Sequence, residues 1–111
     1  MSKRFLAEFE LYVMLAIARL GDGAYGAAVR AEIEARTGRP VSIGALYATL
    51  HRLGEKGLLS FREEEPQPGR RGRARKYCLL TDRGAEALSH STAMLRRMME
   101  GVAVGDAGGR G

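Results

Sequence analysis

Two segments with strand character are separated by a stretch of residues that cannot continue either strand. The segments cover residues 58–65 and 75–80. Proline cannot donate a hydrogen bond to a β ladder, and glycine weakens the interior of a strand. Two prolines and two glycines stand in the intervening stretch, which reads Pro66-Gln67-Pro68-Gly69-Arg70-Arg71-Gly72-Arg73-Ala74. The sequence therefore predicts a β-hairpin with a long, flexible tip.

Three helices are predicted before this hairpin, at residues 5–20, 28–37 and 43–56. A glycine follows each of them directly, as is common where a helix ends. The third helix has a suitable N-cap in Ser42, whose side chain can accept a hydrogen bond from the first turn. An extended connector at 39–41 precedes it, because the residue before Pro40 is steered away from helical dihedrals.

The third predicted helix has one apolar face and one face of small residues. Its apolar residues are spaced three, four and three apart and are expected to be buried: Ile43, Leu46, Leu50 and Leu53. On a helical wheel Gly44 and Ala48 point away from that face, with Ala45 and Arg52 on one flank and Tyr47 on the other. The first part of the outer face carries no long side chain, so base edges in a DNA groove could approach it closely. A solvated face without function is the alternative.

The order of helix, helix, extended link, helix and hairpin is that of a winged helix-turn-helix, whose third helix enters the DNA major groove. We expect a mainly α fold with one small β-hairpin and a C-terminal dimerisation helix. The expected division is a DNA-binding domain at 1–81, a dimerisation helix at 82–100 and a flexible tail at 101–111.

The fourth predicted helix carries an apolar seam of the kind that pairs helices. The seam residues recur at intervals of three and four: Ala85, Leu88, Thr92, Leu95 and Met99. The seam is little more than two heptads long, so it must pack on its own domain or on a partner. Because the first helix is also apolar on more than one side, we expect a homodimer with these interface residues: Phe5, Phe9, Tyr12, Leu88, Leu95, Met98 and Met99. A helix that covers the core of one monomer is the alternative.

Positive charge dominates the chain and is concentrated at the hairpin tip. Lysine and arginine total 18 against 13 aspartates and glutamates, and the net charge of +5 favours an anionic partner. Five cations fall within seven residues: Arg70, Arg71, Arg73, Arg75 and Lys76. Such a cluster can contact the phosphates of double-stranded DNA or enter a narrow minor groove. A solvated charge run and an RNA-binding loop are the alternatives.

Several spaced motifs together resemble the PadR-type family of bacterial transcriptional regulators over most of the chain. They are Tyr25-Gly26, Val41-Ser42-Ile43-Gly44-Ala45-Leu46-Tyr47-Ala48-Thr49-Leu50-His51-Arg52-Leu53, Lys56-Gly57-Leu58-Leu59, Arg71-Gly72-Arg73-Ala74-Arg75-Lys76-Tyr77 and Leu80-Thr81-Asp82-Arg83-Gly84. The resemblance implies a dimeric winged-helix repressor, often responsive to small hydrophobic or aromatic compounds. It also implies that the helix at 42–56 reads the operator, that Tyr47 and the Arg-rich wing contact the DNA backbone, and that the C-terminal helix dimerises. Cys78 and Gly54 depart from the family pattern, which commonly has an aromatic and an acidic residue there.

We therefore predict double-stranded DNA as the partner, an inverted-repeat operator that mirrors the dimer symmetry, and twelve DNA-binding residues. They are Ser42, Gly44, Ala45, Tyr47, Ala48, Thr49, Arg52, Arg70, Arg71, Arg73, Arg75 and Lys76. An effector is expected to be a flat apolar molecule near the dimer interface, because aromatic and methionine side chains make an adaptable wall. That wall is formed by Phe5, Phe9, Tyr12, Met94 and Met98. Plain core packing is the competing use of these residues.

Other classes of function find little support in the sequence. It contains no GxSxG elbow and no phosphate-binding loop, so we expect no enzyme. One cysteine and two histidines, without CxxC or HExxH, make a metal site hard to build, and we expect no cofactor. Cys78 is interpreted as a small semi-buried thiol rather than a redox sensor.

We expect a cytoplasmic protein without a membrane span. No apolar run approaches the roughly 18 residues needed to cross a bilayer, and Glu8 and Glu10 appear before a signal-peptide core develops. A winged-helix protein-interaction module is the main alternative to a DNA-binding repressor, but such a module should lack the cation cluster. An RNA-binding protein would more often show exposed stacking aromatics.

Overall fold

The computed structural model describes residues 6–65 and 75–103, which form four α-helices and one β-hairpin. In chain order the elements are α1 (Glu8–Leu20), α2 (Gly26–Thr37), α3 (Ile43–Glu55), β1 (Leu59–Glu63), β2 (Lys76–Leu80) and α4 (Asp82–Met99). A 3-10 turn at Gly21–Gly23 joins α1 to α2. This order confirms the predicted mainly helical architecture with one hairpin.

Some predicted positions fall outside the described residues. They are Phe5, Arg70, Arg71, Arg73 and the part of the expected tail at 104–111. Within 6–65 and 75–103, no helix combines the length and the apolar character of a membrane span.

The first helix begins later than the apolar pattern predicts. Its first residue is Glu8 rather than Phe5. The Glu10 carboxylate accepts a hydrogen bond of 3.0 Å from the Ala7 N–H and so satisfies a backbone donor at the helix start. A polar residue inside the apolar run therefore sets the boundary.

The connector that precedes α3 is held by α2. The Arg30 Nε donates to the Val41 carbonyl at 2.8 Å, and the Val41 N–H donates to the Glu34 carboxylate at 2.8 Å. Directly after it, the Ser42 Oγ accepts a hydrogen bond of 3.0 Å from the Ala45 N–H, as predicted for the N-cap. These bonds fix both the start of α3 and its approach to α2.

The core joins the three N-terminal helices to the hairpin and to α4. Its largest fully buried side chains are Val13, Met14, Val29, Leu46 and Leu53, and Leu59, Cys78 and Leu88 extend it. The prediction that Ile43 shares the buried face of α3 is wrong, since the residue is 54% exposed. Ile43 occupies the first position of α3, and the helix meets the core only from Leu46 onward.

The N-terminal half of α4 packs on its own chain. Leu88 is only 8% exposed and belongs to the core, so its predicted place in an intersubunit seam is wrong. Nearby, the Gly84 backbone lies so close to the Leu58 carbonyl that a side chain at position 84 would collide with it. The large apolar residues of α4 that remain exposed therefore lie in its C-terminal half.

The wing, defined as β1, β2 and the residues between them, is bonded along the outer edge of β2 to the turn between α1 and α2. The two strands pair antiparallel over their full length. On the edge of β2 away from β1, the Cys78 N–H donates to the Ala24 carbonyl at 2.7 Å, and Tyr25 forms an isolated β-bridge with Tyr77. The turn between α1 and α2 is thus bonded directly to the wing.

Candidate nucleic-acid interface

The outer face of α3 is exposed and built of small residues in its first two turns. Gly44, Ala45 and Ala48 are all exposed. Ser42 is exposed as well, although its hydroxyl accepts the capping hydrogen bond. The structure therefore brings together the small residues that the sequence predicts at base edges, and leaves their surface open.

Tyr47 flanks this face and packs against the start of α2. More than half of the residue is exposed, but its hydroxyl end lies so close to Gly26 that any side chain at position 26 would overlap it. Gly26 is buried beneath the ring. Sterics thus explain the glycine of the Tyr25-Gly26 motif, because any larger residue would overlap Tyr47 of α3.

Thr49 lies on the wrong side of α3 to contact DNA. It is 3% exposed, and its Oγ1 accepts a hydrogen bond of 3.2 Å from an Arg52 guanidinium nitrogen. Its neighbour Leu50 is buried on the same side. The prediction of Thr49 as a DNA-binding residue is therefore wrong, because this side of the helix faces the core.

The buried Glu10 carboxylate of α1 forms ion pairs with two cations, one in α3 and one directly after it. The Glu10 side chain is 6% exposed and lies 3.3 Å from the Arg52 Nε and 3.2 Å from the Lys56 Nζ. Burial acts to raise the pKa of Glu10, but hydrogen bonds from Ala7, Lys56 and Arg52 outweigh it and hold the pKa below its usual range. Arg52 remains half exposed, so its predicted DNA contact competes with this internal bond.

This role of Glu10 was not predicted. The only signal in the sequence is an acidic residue inside the apolar run of the first helix. A buried carboxylate needs a cation or a hydrogen-bond donor as partner, but the partners of Glu10 stand 42 and 46 residues further along the chain. Spacing within one helix cannot identify them.

Two arginines of the wing lie on either side of a pair of tyrosines, Tyr77 of β2 and Tyr25 beside it. The Arg62 guanidinium lies 4.5 Å from the centre of the Tyr77 ring, and the Arg75 guanidinium lies 4.1 Å from that of Tyr25. Between them the two rings meet edge to face, with centroids 5.6 Å apart and planes at 76°. A side-chain hydrogen bond with Tyr77 raises the pKa of Arg75. We call these four residues the wing stack.

The other described cation of the predicted wing cluster is Lys76. Its ammonium lies 5.2 Å from the centre of the Phe61 ring, and its backbone stands opposite Glu63 in the hairpin register. Lys76 is exposed. Of the five predicted wing cations, Arg75 and Lys76 therefore stand at the start of β2, while Arg70, Arg71 and Arg73 lie outside the described residues.

The residues predicted at a dimer interface fall into two groups. Leu95, Met98 and Met99 are exposed near the end of α4, with Met98 the most exposed at 77%. Phe9 and Tyr12 are half-buried and pack on the core of their own chain. The exposed group forms an apolar strip on α4 that residues 6–65 and 75–103 of the same chain leave uncovered.

A cavity of about 200 Å³ lies between α1, α2 and the connector before α3. It is lined by Glu8, Phe9, Tyr12, Ile33, Thr37, Arg39, Pro40 and Val41. Two residues of the predicted effector wall, Phe9 and Tyr12, belong to this lining, whereas Met94 and Met98 do not. Within one chain, the structure thus separates the aromatic part of the predicted wall from its methionines.

Comparison with known proteins gives a family and a fold. The model of the transcriptional regulator PadR-like family matches residues 14–90. No curated protein sequence matches the chain. The matched range covers α2, α3 and the wing, and it includes the C-terminal half of α1 and the N-terminal half of α4.

Solved structures resemble the chain over most of its length. One is a PadR-like transcription factor from Bacteroides fragilis, with 28% identity, a TM-score of 0.70, and coverage of 83% of this chain and 84% of that one. Another is a PadR family transcriptional regulator from Eggerthella lenta, with 31% identity, a TM-score of 0.64, and coverage of 85% and 83%. The winged-helix DNA-binding protein F93 from STIV shares 20% identity, a TM-score of 0.67, and coverage of 87% and 97%. These likenesses confirm the predicted winged-helix fold.

Proposed function

Because the chain belongs to the transcriptional regulator PadR-like family, we propose that it binds double-stranded DNA as a homodimer and represses transcription from an inverted-repeat operator. The observation that carries the proposal is the open outer face of α3 beside a cationic wing. Membership of a family of transcriptional regulators also supports a non-enzymatic function. A protein that acts on chromosomal DNA works in the cytoplasm, and this is the location that we propose.

In this proposal α3 enters the major groove with its first two turns. The helix can approach base edges closely at Gly44, Ala45 and Ala48, because their side chains are small and exposed. Ser42 lies at the same end of the helix. Tyr47 contacts the DNA backbone from the flank, which its exposed ring allows. Thr49 is left out because it is buried.

The wing supplies charge to the same interface. Arg75 and Lys76 stand where β2 begins, next in the chain to the tip arginines. Contacts of this kind with phosphates fix the position of a protein on DNA and supply affinity without reading sequence. Arg52 adds a further cation from α3 wherever its bond to Glu10 leaves guanidinium N–H groups free.

The homodimer uses the exposed apolar strip of α4. Leu95, Met98 and Met99 are exposed in one chain, and burying a large apolar side chain contributes roughly 1.5–3 kcal/mol. A partner molecule bearing the same strip would cover all three at once. Phe9 and Tyr12 of α1 lie at the edge of the proposed interface, since their half-buried rings leave part of their surface open.

An effector, in this proposal, is a small apolar or aromatic molecule that occupies the cavity beside Phe9 and Tyr12. The cavity is smaller than the roughly 300–1,000 Å³ of typical ligand pockets, so a molecule of a few atoms fits without movement. Its lining includes Val41, which lies in the connector before α3. A ligand there could change the approach of α3, provided that it binds the DNA-free geometry more tightly.

Selection of bound sequences from a random duplex pool tests the proposal. We expect an inverted repeat whose half-sites lie about one helical turn, roughly 34 Å, apart. Single-stranded RNA of random sequence serves as the competitor that separates DNA binding from general affinity for nucleic acid. A protein that selects no duplex, or one that prefers the RNA, contradicts the proposal.

A further inference from the structure

Arg75 is held in place on two sides. Its guanidinium lies over the Tyr25 ring at 4.1 Å, and its backbone carbonyl accepts a hydrogen bond of 2.9 Å from the Glu64 N–H. Tyr25 is itself fixed, because it forms a β-bridge and an edge-to-face ring pair with Tyr77. An exposed arginine ordinarily samples many rotamers, so this arrangement restricts a side chain that would otherwise be free.

Tyr25 also connects Arg75 to the third helix. Tyr25 is the N-cap residue of α2, and the next residue, Gly26, lies against the hydroxyl end of Tyr47 on α3. The wing and the outer face of α3 therefore meet at the Tyr25-Gly26 pair. An arginine fixed on Tyr25 stands beside the region where Tyr47 is proposed to contact the DNA backbone.

We infer that Tyr25 and Tyr77 are positioning residues that hold the Arg75 guanidinium ready to bind one DNA phosphate. The inference rests on the proposed DNA-binding function and adds to it the identity of a preorganised phosphate ligand. A flexible arginine loses rotamer freedom when it binds a phosphate, and this loss weakens the interaction. The wing stack removes that loss before DNA arrives, because the rotamer is already selected in the free protein.

Removing the Arg75 charge and releasing the Arg75 side chain from Tyr25 should affect DNA binding differently. Arg75→Ala removes a charged group from the interface, so we expect affinity for a short mixed-sequence duplex to fall about tenfold. The slope of log affinity against log salt should become shallower by about 0.9, since the variant neutralises one phosphate fewer. Tyr25→Leu keeps the charge but releases the side chain, so affinity should fall about three- to tenfold with an unchanged slope.

A double-mutant cycle separates positioning from support of the fold. If Tyr25 acts through Arg75, Tyr25→Leu has no further effect on affinity in an Arg75→Ala background. A tyrosine that merely supports the fold would weaken binding equally in both backgrounds. Tyr25→Phe keeps the ring under the guanidinium and should retain wild-type affinity. Arg36→Ala is the matched control for removal of a positive charge, because Arg36 is paired with Glu32 on the exposed side of α2, and it should leave the slope unchanged.

The measurement is fluorescence anisotropy of the labelled duplex across a salt series, with thermal unfolding of every variant. Should Tyr25→Leu fail to fold, Tyr77→Leu removes the ring that packs edge to face on Tyr25 and enters the same cycle. Its reduction in affinity should likewise vanish in the Arg75→Ala background. A wild-type protein that binds no duplex overturns the proposed function together with this inference. A wild-type protein that binds normally but gives an additive cycle overturns the inference alone.

Discussion

The Glu10 carboxylate of α1 lies 3.2 Å from the Lys56 ammonium, which stands directly after α3. The ion pair joins the first helix of the chain to the end of the proposed recognition helix. Glu10 is buried, while Lys56 is half exposed. The orientation of α3 therefore depends on an ionic interaction as well as on apolar packing, and this interaction responds to both mutation and pH.

Glu10→Gln should lower the free energy of unfolding at neutral pH by about 1–2 kcal/mol. Breaking a fully buried ion pair costs about 3–5 kcal/mol, but solvent screens the half-exposed Arg52 and Lys56, so we expect less. Urea denaturation measures the change. Glu8→Gln is the matched control, because Glu8 is exposed and its carboxylate is bonded within α1 to Tyr12.

The same variant tests the direction of the pKa shift. The folded-state pKa of Glu10 lies below its usual range, so its stabilisation is present above the ordinary glutamate pKa of about 4.3. It is lost as the pH falls through the lower folded-state value. The difference in stability between wild type and Glu10→Gln should therefore shrink as the pH is lowered from 7 to about 3. A difference that stays constant over this range would contradict the assigned pKa direction.

Gly26→Ala should weaken DNA binding through Tyr47. The added methyl group would occupy the space of the Tyr47 hydroxyl end, so the ring must move away from α2. Overpacking of this kind costs about 1–3 kcal/mol of stability. Gly23→Ala is the control, because no atom of the described residues lies within 4 Å of the added group. Duplex affinity and thermal unfolding are measured for both, and equal affinities would show that the position of Tyr47 does not matter.

Leu95→Asp should convert the proposed dimer into a monomer. The substitution places a charge in the exposed apolar strip of α4, where burial without a partner is unfavourable. Light scattering at micromolar concentration gives the mass of each form. Ser89→Asp introduces the same charge at an exposed α4 position outside the strip and should leave the mass unchanged. If the wild-type protein is itself a monomer, the interface proposal fails.

The triple substitution of Arg70, Arg71 and Arg73 by alanine should weaken binding to every duplex alike. Cations at the hairpin tip bind phosphates or a minor groove rather than the information-rich major groove. The salt slope should become shallower by roughly 0.9 for each phosphate that the variant no longer neutralises. Affinities for a selected operator and for unrelated duplex are compared across a salt series. Weaker binding to the operator alone, at an unchanged slope, would assign the tip to sequence reading instead.

Cys78 should be unreactive in the folded protein. Burial raises the pKa of this thiol to about 11, and the thiolate is the reactive form. At pH 8 we expect alkylation in the native state to be slower than in urea by on the order of a hundredfold, and to accelerate as the pH rises. Mass spectrometry follows the reaction without ambiguity, because the chain has one cysteine. Rapid alkylation of the native protein would favour a redox role.

Local patterns predicted most of the fold. Leu46, Leu50 and Leu53 revealed the buried face of α3 because the spacing of apolar residues reports one helix face directly. Ser42 marked the start of α3 because a cap acts within one turn. Ile43 was misplaced because periodicity gives direction around a helix but not where the core ends along it.

The candidate site was predicted less completely, for a similar reason. Gly44, Ala45 and Ala48 are exposed together because they share one helix face, which spacing shows. The bonds of Arg52 to Glu10 and of Tyr25 to the wing join distant parts of the chain. They depend on how elements dock, and periodicity within one element contains no information on docking.

Thr81 connects the wing rigidly to α4. It is the single residue between Leu80 of β2 and Asp82 of α4, and it is bonded to both sides. Its hydroxyl donates to the Gly57 carbonyl at 2.7 Å and accepts from the Gly84 N–H at 3.0 Å, while its own N–H donates to the Leu58 carbonyl at 3.1 Å. A rotation of α4 about its N-terminal end must therefore move the wing with it or break these hydrogen bonds. A partner that binds the C-terminal end of α4 and rotates the helix would therefore also move the cationic hairpin.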